Sequence, residues 1–193
     1  MKTGAVVWDT VMENYRNGYS ATAAPLVVKD KVIVGMAGAE YGVRGFIDAY
    51  DAQTGKRSWR FFTTRGPGRS GPRHVAGHGR KPGSKAADRP GSTGAYDPEL
   101  NLVYWGTGNA GPDYDGSARE GDNLYTASIV ALDADTGQLR WHYQFTPHDV
   151  HGLGLDADAG AGRPDDRRAA AQGRDVREPQ RLLLRARPRD RAS

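Results

Sequence analysis

Short apolar runs separated by clusters of Gly, Asp and Asn dominate the first 150 residues. Ala24-Pro-Leu-Val-Val28, Lys31-Val-Ile-Val-Gly35 and Leu102-Val-Tyr-Trp105 read as strands. They are β-branched or aromatic, short, and bounded by turn residues. Val28-Lys-Asp-Lys-Val32 reads as the hairpin turn between the first two. Gly45-Phe-Ile-Asp-Ala-Tyr50 and Ala127-Ser-Ile-Val-Ala-Leu132 are two more β-rich runs. No segment before residue 150 carries a convincing helical period.

A repeat organises these runs. Asp51-Ala-Gln-Thr54-Gly55-Lys-Arg-Ser-Trp59 recurs as Asp133-Ala-Asp-Thr136-Gly137-Gln-Leu-Arg-Trp141, and Thr3-Gly4-Ala-Val-Val-Trp8 is a third copy clipped at its front. In each copy the Trp follows the Thr by five residues. Asp and Thr-Gly make a tight turn in which Gly takes positive φ, and the Trp then buries a large ring on one face of the following strand. A single copy would be an ordinary hairpin. Repetition predicts a propeller, whose blades cannot bury their faces alone.

Composition narrows the function classes. The chain has 193 residues and no cysteine, so it has no disulfides and no thiolate metal site. No apolar run approaches the roughly 20 residues of a membrane-spanning helix, and no signal peptide is visible in this chain. The net charge of +4 is unevenly spread. Residues 65–92 hold 7 Lys+Arg against 1 Asp, and residues 152–193 hold 10 Arg against 7 Asp+Glu. All 17 aromatic residues lie outside these two stretches. A nucleic-acid binder is disfavoured, because the Arg-rich tail lacks stacking aromatics and its charge is largely offset.

Several runs resemble the PQQ-dependent alcohol dehydrogenases of the methanol and ethanol type, which are eight-bladed quinoprotein β-propellers. They are Tyr19-Ser-Ala-Thr-Ala-Ala-Pro-Leu-Val-Val28, Gly35-Met-Ala-Gly-Ala-Glu-Tyr-Gly-Val-Arg-Gly45, Ala95-Tyr-Asp-Pro-Glu-Leu100, Tyr104-Trp-Gly-Thr-Gly-Asn109, Gly121-Asp-Asn123 and Thr146-Pro-His-Asp149. The resemblance implies an all-β fold of about three blades of that parent. It divides the chain into propeller segments at 1–64 and 93–151, with a disordered insert at 65–92 and a disordered tail at 152–193.

The resemblance also implies a site. Glu40 and Asn109 fall on the family's ligands to a Ca²⁺ or lanthanide ion, a hard cation that takes oxygen donors. Thr22, Gly38 and Ala39 match positions that contact pyrroloquinoline quinone (PQQ), while Ala37 replaces a serine often found there. Taken alone, Glu40 is a strand-end carboxylate and Asn109 a turn former. The family oxidises a small alcohol, passes electrons to a cytochrome c-type acceptor, and works in the periplasm. Its base is an Asp in an Asp-Trp-Asp-like run just after Thr-Pro-His-Asp. Here the sequence continues Val-His151-Gly-Leu-Gly154, so no catalytic residue is assigned. Asp149 matches an earlier family position, and His148 and His151 read as loop histidines, too few to hold a metal.

The aromatic-free stretches are read as translation out of frame, with genuine Arg-rich disorder as the alternative that composition alone equally allows. One permitted codon set for residues 152–159, read one base later, spells Asp-Trp-Asp-Ser-Thr-Arg-Met. Residues 81–92, read two bases later, can spell a run ending Gly-Gly-Pro-Thr-Trp-Leu, with the family's quinone-stacking Trp where Gly91 stands. The expectation is an alcohol dehydrogenase fragment, inactive alone. The alternative is a non-enzymatic propeller scaffold for protein contacts, which would have no need of Glu40 and Asn109 in their glycine settings.

Overall fold

The computed structural model describes residues 3–38, 41–64, 93–117, 119 and 121–152. All of these belong to the compact unit Met1–Ala157. The expectations for 65–92, for 153–193, and for Ala39 and Glu40 fall outside the described residues.

Eight strands form two four-stranded antiparallel sheets, each a simple meander. The first holds β1 (Leu26–Val28), β2 (Lys31–Gly35), β3 (Phe46–Asp51) and β4 (Arg57–Phe62). The second holds β5 (Ala95–Asp97), β6 (Leu102–Gly106), β7 (Ser128–Asp133) and β8 (Leu139–Gln144). The strands read from the sequence are therefore present, and the two sheets repeat each other closely. β3 and β7 are inner strands buried on both faces, which is why Phe-Ile-Asp-Ala-Tyr and Ser-Ile-Val-Ala-Leu do not alternate cleanly. Each pairs with its outer neighbour through a bulge at the same place, between Ala49 and Tyr50 and between Ala131 and Leu132. A short 3₁₀ turn, Tyr15–Asn17, precedes β1.

The repeated motif explains how the sheets are joined. Asp51 Oδ1 accepts hydrogen bonds from the Gln53 and Thr54 amides and the Thr54 hydroxyl. Asp133 Oδ1 does the same with Asp135 and Thr136. These side-chain bonds shape the turn locally. Trp8 and Trp59, which end the first two copies, each lie on the turn of the next. Trp8 Nε1 donates to Ala52 O at 2.9 Å, and Trp59 Nε1 donates to Ala134 O at 3.1 Å. The indole rings cover Gly55 and Gly137. A Cβ on Gly55 would meet Trp8 Cδ2 at 2.7 Å, and one on Gly137 would meet Trp59 Cδ2 at 2.5 Å. Both glycines also have φ of +69°, which L side chains adopt at a cost. The motif thus carries a Trp that docks forward and a Gly that receives the preceding Trp. Gly137→Ala is expected to loosen the two sheets and lower the melting temperature by several degrees, as read by calorimetry.

One core spans both sheets: Val28, Ile33, Ile47, Ala49 and Trp59 pack with Val103, Trp105, Val130, Leu132 and Ala134. A second cluster of Met36, Val43 and Phe46, covered by Met12 and Tyr19, lies under the β2–β3 loop. Trp141, the last docking residue in sequence, has a buried Nε1 with no hydrogen-bond partner.

Candidate cofactor and metal site

Antiparallel pairing sorts the connections of each sheet to two ends. The start of β1 lies beside the end of β2, because Leu26 pairs with Ile33 and Val28 with Lys31. Thr22, just before β1, is therefore at the same end as the 36–45 loop that contains Gly38, Ala39 and Glu40. An isolated bridge fixes this further: Ser20 N donates to Ala37 O at 3.1 Å, and Ala37 N to Ser20 O at 2.7 Å. In the second sheet the 107–127 loop joins β6 to β7 and carries Asn109 near its start. β8 ends at the same place, since Ser128 pairs with Gln144, so Thr146–His151 leaves from that end too.

The two loops that hold the sequence-predicted ligands are thus equivalent, each joining the second strand of its sheet to the third. They also lie at the same end of the pair of sheets. Tyr125 N donates to Thr63 O at 2.7 Å at that end, while Lys29 meets Asp135 at 3.1 Å at the opposite, turn end.

The local build of the 36–45 loop depends on backbone packed closely against backbone. Gly38 is buried with φ of +118°, and a Cβ there would collide with the Gly18 carbonyl oxygen. Gly18, at φ of +95°, faces Tyr41 in the same way. A side chain at position 38 would need both a strained φ and a displaced backbone. Gly38→Ala is therefore expected to cost about 1–3 kcal/mol, read as a lower denaturation midpoint. Arg44, from the same loop, stacks 3.6 Å from the Phe62 ring centroid and donates from Nε to Thr64 O at 2.8 Å. These contacts pin the loop to the end of β4.

Asn109 is half-buried, and its carboxamide makes no hydrogen bond to the described residues. Its loop is closed at the base: Ala127 N donates to Gly108 O, and the Thr107 hydroxyl donates to Tyr125 O and Ser128 O. A neutral amide oxygen presented from a fixed backbone suits a hard cation. Thr22 is exposed and likewise makes no hydrogen bond to the described residues. Among the described residues no cluster of three or more His, Asp or Glu side chains could hold a metal by itself.

The segment after β8 is also tied to this loop. His148 N donates to Asp122 O at 3.2 Å, His148 Nδ1 lies 2.7 Å from Gly121 O, and Gln144 Nε2 donates to Asp122 O at 2.7 Å. His148 has a structural contact, in keeping with its reading as a loop histidine. Asp149 is buried, one oxygen accepts from His151 N at 2.9 Å, and the other is unpartnered. Sequence reasoning passed over Arg119, which is only 1% exposed. An Arg set among Gly, Asp and Asn, four residues before Asn123, was the available signal.

Comparison with known proteins places this architecture. Residues 2–161 match the family model described as glucose/ethanol/alcohol dehydrogenase, β-propeller domain, of the PQQ type. The chain belongs to that family of quinoprotein propellers. It is 46% identical over 162 residues to the quinohemoprotein alcohol dehydrogenase ADH IIB of Pseudomonas putida, covering 77% of this chain and 23% of that protein. It is 42% identical over 165 residues to methanol dehydrogenase [cytochrome c] subunit 1 of Methylorubrum extorquens, covering 77% of this chain and 26% of that protein. Among solved structures, a europium-containing methanol dehydrogenase superposes with a TM-score of 0.70 at 34% identity, covering 79% of this chain and 29% of that one. The chain therefore spans about a quarter of the length of the relatives it matches. Among the described residues no helix is long and apolar enough to cross a membrane.

Proposed function

We propose that this chain is part of a PQQ-dependent alcohol dehydrogenase that oxidises primary alcohols to aldehydes, and that it does not turn over alone. The observation that carries this reading is the placement of Gly38 and Asn109 in equivalent loops at one end of adjoining sheets, in a chain of this family. Glu40 and Asn109 would hold a Ca²⁺ or lanthanide ion, with Thr22, Gly38 and Ala39 against PQQ. When bound, PQQ supplies the hydride acceptor and the metal polarises it.

This chain's own residues set the limits. Asn109 offers a neutral oxygen and Glu40 a negative one, so half of the charge compensation a divalent ion needs is present. Gly38, packed against the Gly18 carbonyl, lets its loop fold closely beside the segment that carries Thr22. The proton on the alcohol needs a carboxylate base within hydrogen-bond reach. Asp149 is unsuited to that role: it is buried, and its peptide carbonyl is held by Arg119. The run after it contains no Asp-Trp-Asp, which supports translation out of frame from His151 onward and across 65–92. A cytochrome c-type acceptor and a periplasmic setting belong to the same proposal; the Methylorubrum relative's name includes cytochrome c.

The test is dye reduction driven by a primary alcohol in the presence of PQQ and Ca²⁺. The 193-residue chain is expected to give none. The same locus with its frame restored at both points is expected to give turnover. A restored protein that binds PQQ and Ca²⁺ yet oxidises no alcohol would overturn the reading.

A further inference from the structure

Arg119 is the most buried cation among the described residues, and nothing in the proposed chemistry uses it. Its guanidinium spends its donors on four separate points of the chain. Nε donates to Pro112 O at 3.3 Å, and Nη2 donates to Pro112 O at 3.2 Å and Asp113 O at 3.4 Å. Nη1 donates to Asn123 Oδ1 at 2.5 Å, and Nη2 also reaches the Asp149 carbonyl at 2.5 Å. Asn123 returns the contact, its amide donating to Arg119 O at 2.8 Å and Gly121 O at 3.0 Å.

Three of these points belong to the 107–127 loop that carries Asn109. The fourth, Asp149, belongs to the segment that leaves β8. Burial draws the Arg119 pKa below its usual value, and Asp149, Asp113 and Asp115 offset this in that order. The charge stays on, because guanidinium is protonated at any ordinary pH. A planar fork with five N–H groups can serve several carbonyls in fixed directions, whereas a lysine ammonium cannot.

We propose that Arg119 is a positioning residue for the cofactor site: it locks the Asn109 loop to the segment after β8, fixing the metal-ligand loop and the strand exit in one geometry. The assignment of Asn109 as a ligand rests on the function proposed above. The locking itself does not. The base of the loop is held by Thr107 and Gly108, so the sheets form without Arg119, while Arg119 fixes the loop at Pro112 and Asp113, on the other side of Asn109.

The experiment compares the full chain with its Arg119→Lys and Asn109→Ala variants by amide hydrogen exchange and by titration with Eu³⁺ alone. In Arg119→Lys the exchange of residues 111–123 and 146–151 should rise together by about tenfold, with that of β2, β3 and β7 unchanged. Eu³⁺ should bind about tenfold more weakly to Arg119→Lys than to the parent chain, with at least one more coordinated water read from its luminescence lifetime. Asn109→Ala should lose Eu³⁺ affinity without the exchange change. If Arg119→Lys loosens 111–123 but leaves 146–151 protected, or if it keeps both segments protected, the locking role is overturned. If exchange changes as expected and Eu³⁺ affinity does not, Arg119 is a fold residue with no role at the site. If the parent chain itself binds no Eu³⁺, the metal assignment fails, and the exchange result still decides the lock.

Discussion

Asp48→Ala is expected to cost about 3–5 kcal/mol, enough to remove much of the stability of a domain of this size. Asp48 lies on β3 with its side chain fully buried. Arg60 on β4 grips it from two nitrogens, Nε at 2.6 Å and Nη2 at 2.7 Å. Tyr50 donates its hydroxyl to the same carboxylate at 2.7 Å. Burial first, and the Asp48 carboxylate second, push the Tyr50 phenol well above its usual range, so it remains a donor. Arg60 continues outward, donating from Nη1 to Glu13 at 2.6 Å and stacking 3.6 Å from the Phe46 centroid. Removal of Asp48 would leave a largely buried guanidinium and a buried hydroxyl without their main acceptor. The chain that carries Met12 and Glu13 would lose its anchor to the sheet. Chemical denaturation followed by Trp fluorescence measures this, and a midpoint shift below about 1 kcal/mol would count against it.

Trp59→Ala has a comparable expected effect, about 3–5 kcal/mol, for a different reason. The ring is 8% exposed, joins the core shared by both sheets, and covers Gly137. Its deletion removes a large apolar contact and frees the Ala134 carbonyl of its indole donor. Trp8→Ala breaks the equivalent bond to Ala52 at a part-buried site and should cost visibly less. The difference between the two variants reports how much of the stability lies between the described sheets.

Acid sensitivity should follow Asp133. The hydrogen bond from Arg140 first, then those from Thr136 and the Asp135 amide, hold its carboxyl down at about 2. In an unfolded chain the same group titrates near ~3.9. The folded form therefore binds the proton less readily. The stabilisation is complete above about pH 4 and is lost as pH falls toward 2. Arg140→Gln should raise the Asp133 pKa, and acid unfolding followed by circular dichroism should begin at higher pH. The gain is modest, because Arg140 is more than half exposed at 55%.

The strands and the Asp–Thr–Gly turns were legible in the sequence because their causes are local. Asp51 needs only Thr54, three residues away, to shape its turn, and Lys29-Asp30 makes the predicted hairpin between β1 and β2. The role of the repeated Gly was legible only in part. Positive φ could be read from Thr-Gly, but its second duty, lying beneath the Trp of the neighbouring sheet, depends on packing across many residues. The Asp48–Arg60–Glu13 network was not legible at all. An Asp inside an apolar run gives no sign of which distant Arg neutralises it. The resemblance singled out Thr22, Gly38 and Asn109, and chain topology brings their segments to one end. Arg119 escaped notice because its partners are mostly backbone carbonyls, which leave no mark in a pattern of side chains.

The most direct measurement of the central claim is a double-mutant cycle on metal binding, with Eu³⁺ titrated into the parent chain, Glu40→Gln, Asn109→Ala and the double variant. If both residues hold one ion, each single change weakens binding by about tenfold or more, and the double variant loses much less than the product of the two. If neither change alters binding, or if each abolishes a different one of two separable Eu³⁺-binding events, Glu40 and Asn109 do not share a site and this account of the chain is wrong.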